Sequence, residues 1–197
     1  MRSTPARGQR IGLLGGSFNP AHGGHRHISL LALQRLGLDH IWWLVSPQNP
    51  LKPRTGMVPF AERMARAEAV ASHPRIRVSG IEAELGTVFT AQTLRKLRRR
   101  FPAHRFVWLM GADNLKSMHR WHEWRRIFRT VPIAVFDRPG SSFAALQGRA
   151  ASAFRPRRYP AAQGKALAAR RAPAWSFLWA AFDDRSATAL RQQALTG

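Results

Sequence analysis

The chain contains no cysteine. That excludes a disulfide framework, a thiolate metal site and a cysteine nucleophile. Acidic residues are scarce, 10 Asp and Glu in 197 positions, and none falls in a His-Glu helical pattern of the kind that holds zinc. No apolar run approaches the roughly 18 residues that a membrane helix needs. The opening MRSTPARGQR is not followed by the apolar stretch of a signal peptide. The expectation is a cytoplasmic protein with no membrane partner.

Hydrophobic residues make up 45% of the chain, enough for a packed core, and 197 residues suit one substantial domain. We divide the sequence into an N-terminal extension, 1–9, and a single domain, 10–197. A formal charge of +22 favours polyanionic partners in general, a nucleotide triphosphate as much as a nucleic acid. Its arginines cluster in RKLRRR (95–100), WRRIFR (124–129) and RPRR (155–158). None of the usual nucleic-acid module signatures accompanies them, so a solvated basic surface is the simpler reading and nucleic acid is not expected as the main partner. The composition allows a homo-oligomer.

Along the chain, short apolar runs alternate with helical patterns. RIGLLGG (10–16) reads as a buried strand closed by a glycine turn, and apolar Ile28, Leu30, Leu31 and Leu33 follow at helical spacing. HIWWLVS (40–46) is a second strand, ended by a Pro-rich loop. A helix over 60–72, a strand over 75–82, a helix over 90–101 with Thr90 as N-cap, and a strand over 105–113 come next. Two short helical pieces flank HRWHEW, strand patterns recur over 131–140 and 174–182, and Ser186 caps a terminal helix over 186–195. Residues 141–173 read as irregular, partly helical and solvated. This alternation predicts right-handed βαβ units in a doubly wound parallel sheet, with a small C-terminal helical part. In such sheets ligands bind at the carboxyl ends of the strands. Those ends carry Gly15 to His25, Ser46 to Lys52, Gly111 to Asn114 and Arg138 to Gly140.

GGSFNPAHGGHRHI (15–28) places His22 and His25 directly after the glycine turn. A metal pair would need a third ligand for which the chain offers no pattern. A helix N-terminus after a glycine turn presents N–H groups and the positive end of the dipole, an anion site. Imidazoles there can donate to phosphate oxygens without the desolvation cost of a fixed cation. His27 lies outside the spacing. HRWH repeats that spacing at His119 and His122 but lacks the glycine turn, so this pair is expected to be structural or peripheral. Trp42, Trp43 and Trp108, in predicted strands, are expected in the core.

GSFNPAHGGH resembles the Gly-x-Phe-x-Pro-x-His-x-Gly-His signature of the nucleotidylyltransferase superfamily. WWLVSPQNPLK, FTAQTL, FVWLMGADNL with HRWHEW, and DDRSATALR are similar, in order, to the further motifs of the bacterial nicotinate-mononucleotide adenylyltransferases. The likeness spans roughly residues 10 to 138 and 174 to 191. It implies a Rossmann-like nucleotidylyltransferase fold and transfer of AMP from ATP, with Mg²⁺ on the triphosphate and no metal held mainly by protein, to nicotinate mononucleotide in NAD biosynthesis. On that likeness His25 and His22 are the catalytic pair. Gly15, Gly16, Ser17, Phe18, Lys52, Ser186, Thr188 and Arg191 bind ATP phosphates. Thr90, Gly111, Asp113, Trp121 and Arg138 form the ribose and pyridine site. The last motif departs from the family at Ala187 and Arg185, where a serine and an isoleucine are usual. Nicotinamide mononucleotide or phosphopantetheine as acceptor, a class I aminoacyl-tRNA synthetase core and a non-enzymatic nucleic-acid binder are the rival readings. The synthetase reading lacks its Lys-Met-Ser-Lys-Ser loop.

Overall fold

Alternate residues of each strand are buried on opposite sides of one sheet, so helices must cover both faces. The computed structural model describes residues 8–47 and 56–179. In chain order its elements are β1 (Arg10–Gly16), α1 (Gly23–Arg35), β2 (His40–Val45), α2 (Phe60–Ala71), β3 (Ile76–Ser79), α3 (Ile81–Glu84), α4 (Thr90–Arg100) and β4 (Arg105–Gly111). There follow α5 (Ala112–Ser117), α6 (Trp124–Thr130), β5 (Ile133–Phe136), α7 (Ser142–Leu146), α8 (Arg149–Ala153), β6 (Arg158–Tyr159), α9 (Gly164–Leu167) and β7 (Trp175–Leu178).

The strands pair in the order β3-β2-β1-β4-β5-β7-β6, and every pairing is parallel. Ile11, Leu13, Leu44, Phe106, Trp108 and Met110 pack with Leu94, Leu97, Leu115 and Phe128 on one face. Leu14, Trp43, Val107 and Leu109 pack with Ala32, Leu33, Ala67 and Leu167 on the other. The chain runs outward from β1 to β3, then returns to β4 on the other side of β1. That reversal opens a crevice at the carboxyl ends of β1 and β4, the place where doubly wound sheets bind ligands.

The predicted sheet stands, with four local differences. The pattern over 75–82 divides into β3 and α3, because the chain breaks at Gly80 and Ile81 turns into the core. Thr90 is the first residue of α4, and its cap is the extended Phe89. Trp42 is only partly buried, against Phe101 and Phe106. Residues 141–173 are not merely solvated: Ala145, Ala150, Ala151, Phe154, Leu167 and Ala168 are buried. The end of the strand pattern beyond 179, the terminal helix and the Pro-rich loop from 48 to 55 lie outside the described residues.

Candidate active site

The turn after β1 is built on a tight core contact. A Cβ on Gly15 would stand 2.4 Å from the ring of Trp108, so the backbone can cross that indole only as glycine. Phe18 holds a left-handed φ of 47°, an uncommon conformation for a bulky residue. Packing sustains it: the ring is buried, stacks on Trp43 at 5.1 Å and lies 4.8 Å from His25. The Phe18 ring thus forms the apolar support of the histidines. Trp43 Nε1 donates to Ser29 Oγ at 2.8 Å, and that hydroxyl donates to the carbonyl of His25 at 2.8 Å.

His22 and His25 close a capping box on α1. The backbone N–H of Gly24 donates to His22 Nδ1 at 3.1 Å, and the N–H of His22 donates to His25 Nδ1 at 3.3 Å. Two of the helix's leading amides are thereby satisfied. They are not open to an anion, as the sequence pattern had implied. A ring nitrogen that accepts cannot carry the proton, so both neutral imidazoles hold it on Nε2. A Cβ on Gly24 would lie 2.9 Å from the His22 ring, which is why glycine separates the pair. Burial, and then the charge of Arg138, hold His22 below its ordinary pKa and favour its neutral form.

Among the described residues two ionisable side chains, neither evident from the sequence, are buried. Arg63, on α2, is 1% exposed. Its guanidinium donates to the carbonyls of Ser17 (2.6 Å), Ser46 (2.8 Å), Pro47 (2.9 Å) and Val58 (2.9 Å). It thus fastens the turns that follow β1 and β2 to one another, and burial lowers its pKa. The signal was present in the helical spacing, since Arg63 shares the buried face of α2 with Ala67 and Ala71. Glu82, on α3, is 6% exposed. Thr93 Oγ1 donates to it at 3.1 Å, Ser46 also hydrogen-bonds to it, and Thr87 lies 2.9 Å from Thr93 through their hydroxyls.

Burial pushes the Glu82 carboxyl up to about 7, against the smaller opposing effect of its hydroxyl partners. The folded value exceeds the ordinary one of 4.5. Its stabilising contribution is therefore complete below about 4.5 and is lost as pH rises through about 7. Glu82→Gln removes that titration. Relative to the parent chain, its unfolding free energy is expected to rise by about 2.5 kcal/mol between pH 5 and pH 8 in urea titrations. Equal pH slopes for the two proteins would contradict it.

A cavity of about 380 Å³ opens beside the turn, lined by Gly15, Gly16, Ser46, Glu82, Thr90, Trp108 and Trp121, among others. The structure thus unites Gly15, Gly16, Thr90 and Trp121 from the predicted set. It also adds two residues to the cavity wall. Trp108 is buried, as expected, and also borders the cavity, and His122, expected to be structural or peripheral, lines it with its ring 4.3 Å from that of Phe89. Across the strand ends, Gly111 caps α5 and Arg138 donates to Asp113 Oδ2 at 3.1 Å. Asp113 Oδ1 is buried without a hydrogen-bond partner among the described residues. Ser17 is buried, its carbonyl held by Arg63. His119 interacts with the carbonyl of Lys116 at 3.2 Å. Lys52, Ser186, Thr188 and Arg191 lie outside the described residues. Among those described, no helix is long and apolar enough to cross a membrane.

A parallel sheet with a histidine-capped helix and an aromatic cavity at its switch point defines a Rossmann-like nucleotidyltransferase fold. The cytidylyltransferase-like family model matches residues 13–193. A probable nicotinate-nucleotide adenylyltransferase of Methylorubrum extorquens is 53% identical over 182 residues, covering 92% of this chain and 98% of its own. One of Gluconobacter oxydans is 54% identical over 183 residues, covering 93% and 94%. The chain belongs to the nicotinate-nucleotide adenylyltransferases of the cytidylyltransferase-like family. The fold is similar to that of the Plasmodium falciparum nicotinic acid mononucleotide adenylyltransferase complexed with NaAD. That match has a TM-score of 0.64 at 14% identity and covers 88% of this chain and 76% of the other.

Proposed function

We propose that the protein transfers AMP from ATP to nicotinate mononucleotide, forming nicotinate adenine dinucleotide and pyrophosphate in NAD biosynthesis. The observation that carries this reading is the capping box. It leaves the two imidazoles their Nε2–H groups as donors at a helix N-terminus, on the turn whose Gly15 and Gly16 line a cavity with Trp121. An oxygen of the mononucleotide's 5′-phosphate attacks the α-phosphorus of ATP in line. The bond to the bridging oxygen of the β-phosphate breaks, and pyrophosphate leaves with that electron pair. No protein nucleophile is needed, because positioning and charge stabilisation supply the catalysis.

In this reading His25 meets the α-phosphate as charge builds toward the leaving group, and His22 holds a neighbouring oxygen. The backbone of Gly15 and Gly16 lets the nucleotide approach. Asp113 Oδ1, a buried acceptor, suits ribose hydroxyls, with Arg138 fixing the other oxygen. Trp121 stacks on the pyridine ring and Thr90 stands near its carboxylate. Lys52, Ser186, Thr188 and Arg191 are assigned to the triphosphate by motif. Mg²⁺ arrives on ATP as part of that substrate. We place the reaction in the cytoplasm, where its nucleotide substrates are found.

Pyrophosphate release from MgATP, measured separately with nicotinate mononucleotide, nicotinamide mononucleotide and phosphopantetheine, tests the reading. A clear preference for the nicotinate compound is expected. Equal turnover of all three, or of none, would refute it.

A further inference from the structure

The Glu82 carboxyl plays no part in the transfer described above, yet it forms part of the wall of the cavity that holds Trp121 and Thr90. Buried carboxyls near a binding site control which charges that site will accept. Thr93 and Ser46 fix this one from α4 and from the end of β2, so it is not free to swing into solvent. The charged groups around it are engaged elsewhere or lie on the rim. On its own helix, Glu84 pairs with Arg100 at 3.7 Å. Lys96, on α4, donates to the carbonyl of Leu85, and Arg63 donates to that of Ser46. Arg120 and His122 border the cavity. None of these forms an ion pair with Glu82 among the described residues.

We propose that Glu82 is a specificity-determining residue of the pyridine pocket: as a neutral acid it admits an anionic ring substituent, and as a carboxylate it repels one in favour of a neutral substituent. This rests on the reading of the cavity as the pyridine subsite. Nicotinate and nicotinamide differ there by one charge. A uniform basic surface would favour the anion at every pH, whereas an uncompensated carboxylate in the wall makes the preference depend on protonation. Burial raises Glu82 to about 7, which puts the change within reach of ordinary assays.

The experiment is the ratio of kcat/KM for nicotinate mononucleotide to that for nicotinamide mononucleotide, followed from pH 6 to pH 8.5. Both acceptors carry the same ribose phosphate and use the same ATP, so those titrations cancel in the ratio. In the parent chain the ratio is expected to fall by about tenfold across this range. Glu82→Gln should hold the low-pH ratio throughout, and His122→Asn should retain the fall. Thr93→Val removes a donor that favours the ionised form, so it should move the midpoint to higher pH and serves if Glu82→Gln does not fold. A flat ratio in the parent chain overturns the proposal, as does a fall that survives in Glu82→Gln or disappears in His122→Asn. Turnover of neither pyridine nucleotide would remove the functional reading itself, a different failure from a flat ratio with both substrates used.

Discussion

Arg63→Met is expected to lower the unfolding free energy by about 3 to 5 kcal/mol. The methionine fills part of the volume but donates to none of the carbonyls of Ser17, Ser46, Pro47 and Val58. Buried acceptors left unpaired cost more than the bonds they made were worth. For a domain of this size the midpoint of thermal unfolding should drop by on the order of 10 °C. Arg63→Lys separates charge from geometry: it keeps the cation but not the planar fork, and should recover only part of the loss. The kinetic consequence follows from what the fork joins. With the β1 and β2 turns no longer fastened together, KM for both nucleotides should rise, even at temperatures where the variant remains folded. A stability change below about 1 kcal/mol by calorimetry would show that the carbonyls find other partners.

His25→Ala is expected to reduce kcat by a factor on the order of 10² to 10³, the scale of losing one preorganised donor to developing charge. It also removes the acceptor for the His22 N–H, which costs about 1 kcal/mol of helix stability. The two losses are separable. Unfolding in denaturant measures the cap, and single-turnover kinetics with saturating nucleotides measures the chemistry. A full kcat with a raised KM would reduce His25 to a binding residue. His22 is coupled to it through the ring contact at 3.9 Å, so the double variant should lose less than the product of the single effects.

The alternation of strand and helix was legible as far as β5, because each apolar run there is closed by glycine or proline and each segment between them carries helical spacing. The glycine turn and its histidines were legible because GGSFNPAHGGH concentrates residues whose only shared purpose is close backbone approach beside imidazoles. Arg63 was not, although its register on the face of Ala67 and Ala71 pointed inward. An arginine reads as surface unless its partners are known, and here they are carbonyls from loops far apart in the chain. Glu82 was hidden for a similar reason: its hydroxyl partners, Thr93 and Ser46, belong to other elements. The buried positions of 141–173 were obscured because α7, α8 and α9 have only four or five residues each, too few to display a period.

The capping box changes how far the α1 terminus reaches. Its Gly24 and His22 amides end on nitrogen atoms of two imidazoles, and each imidazole carries its own N–H on the opposite edge of the ring. The partial positive charge of the terminus is thus handed outward through an aromatic relay, a ring's width beyond the backbone. A phosphate could be met at that distance by lysine or arginine, but with a full charge that would hold the product as firmly as the substrate. In the proposed reaction, two imidazoles that donate without a fixed charge would give the helix end its reach and still let the dinucleotide go.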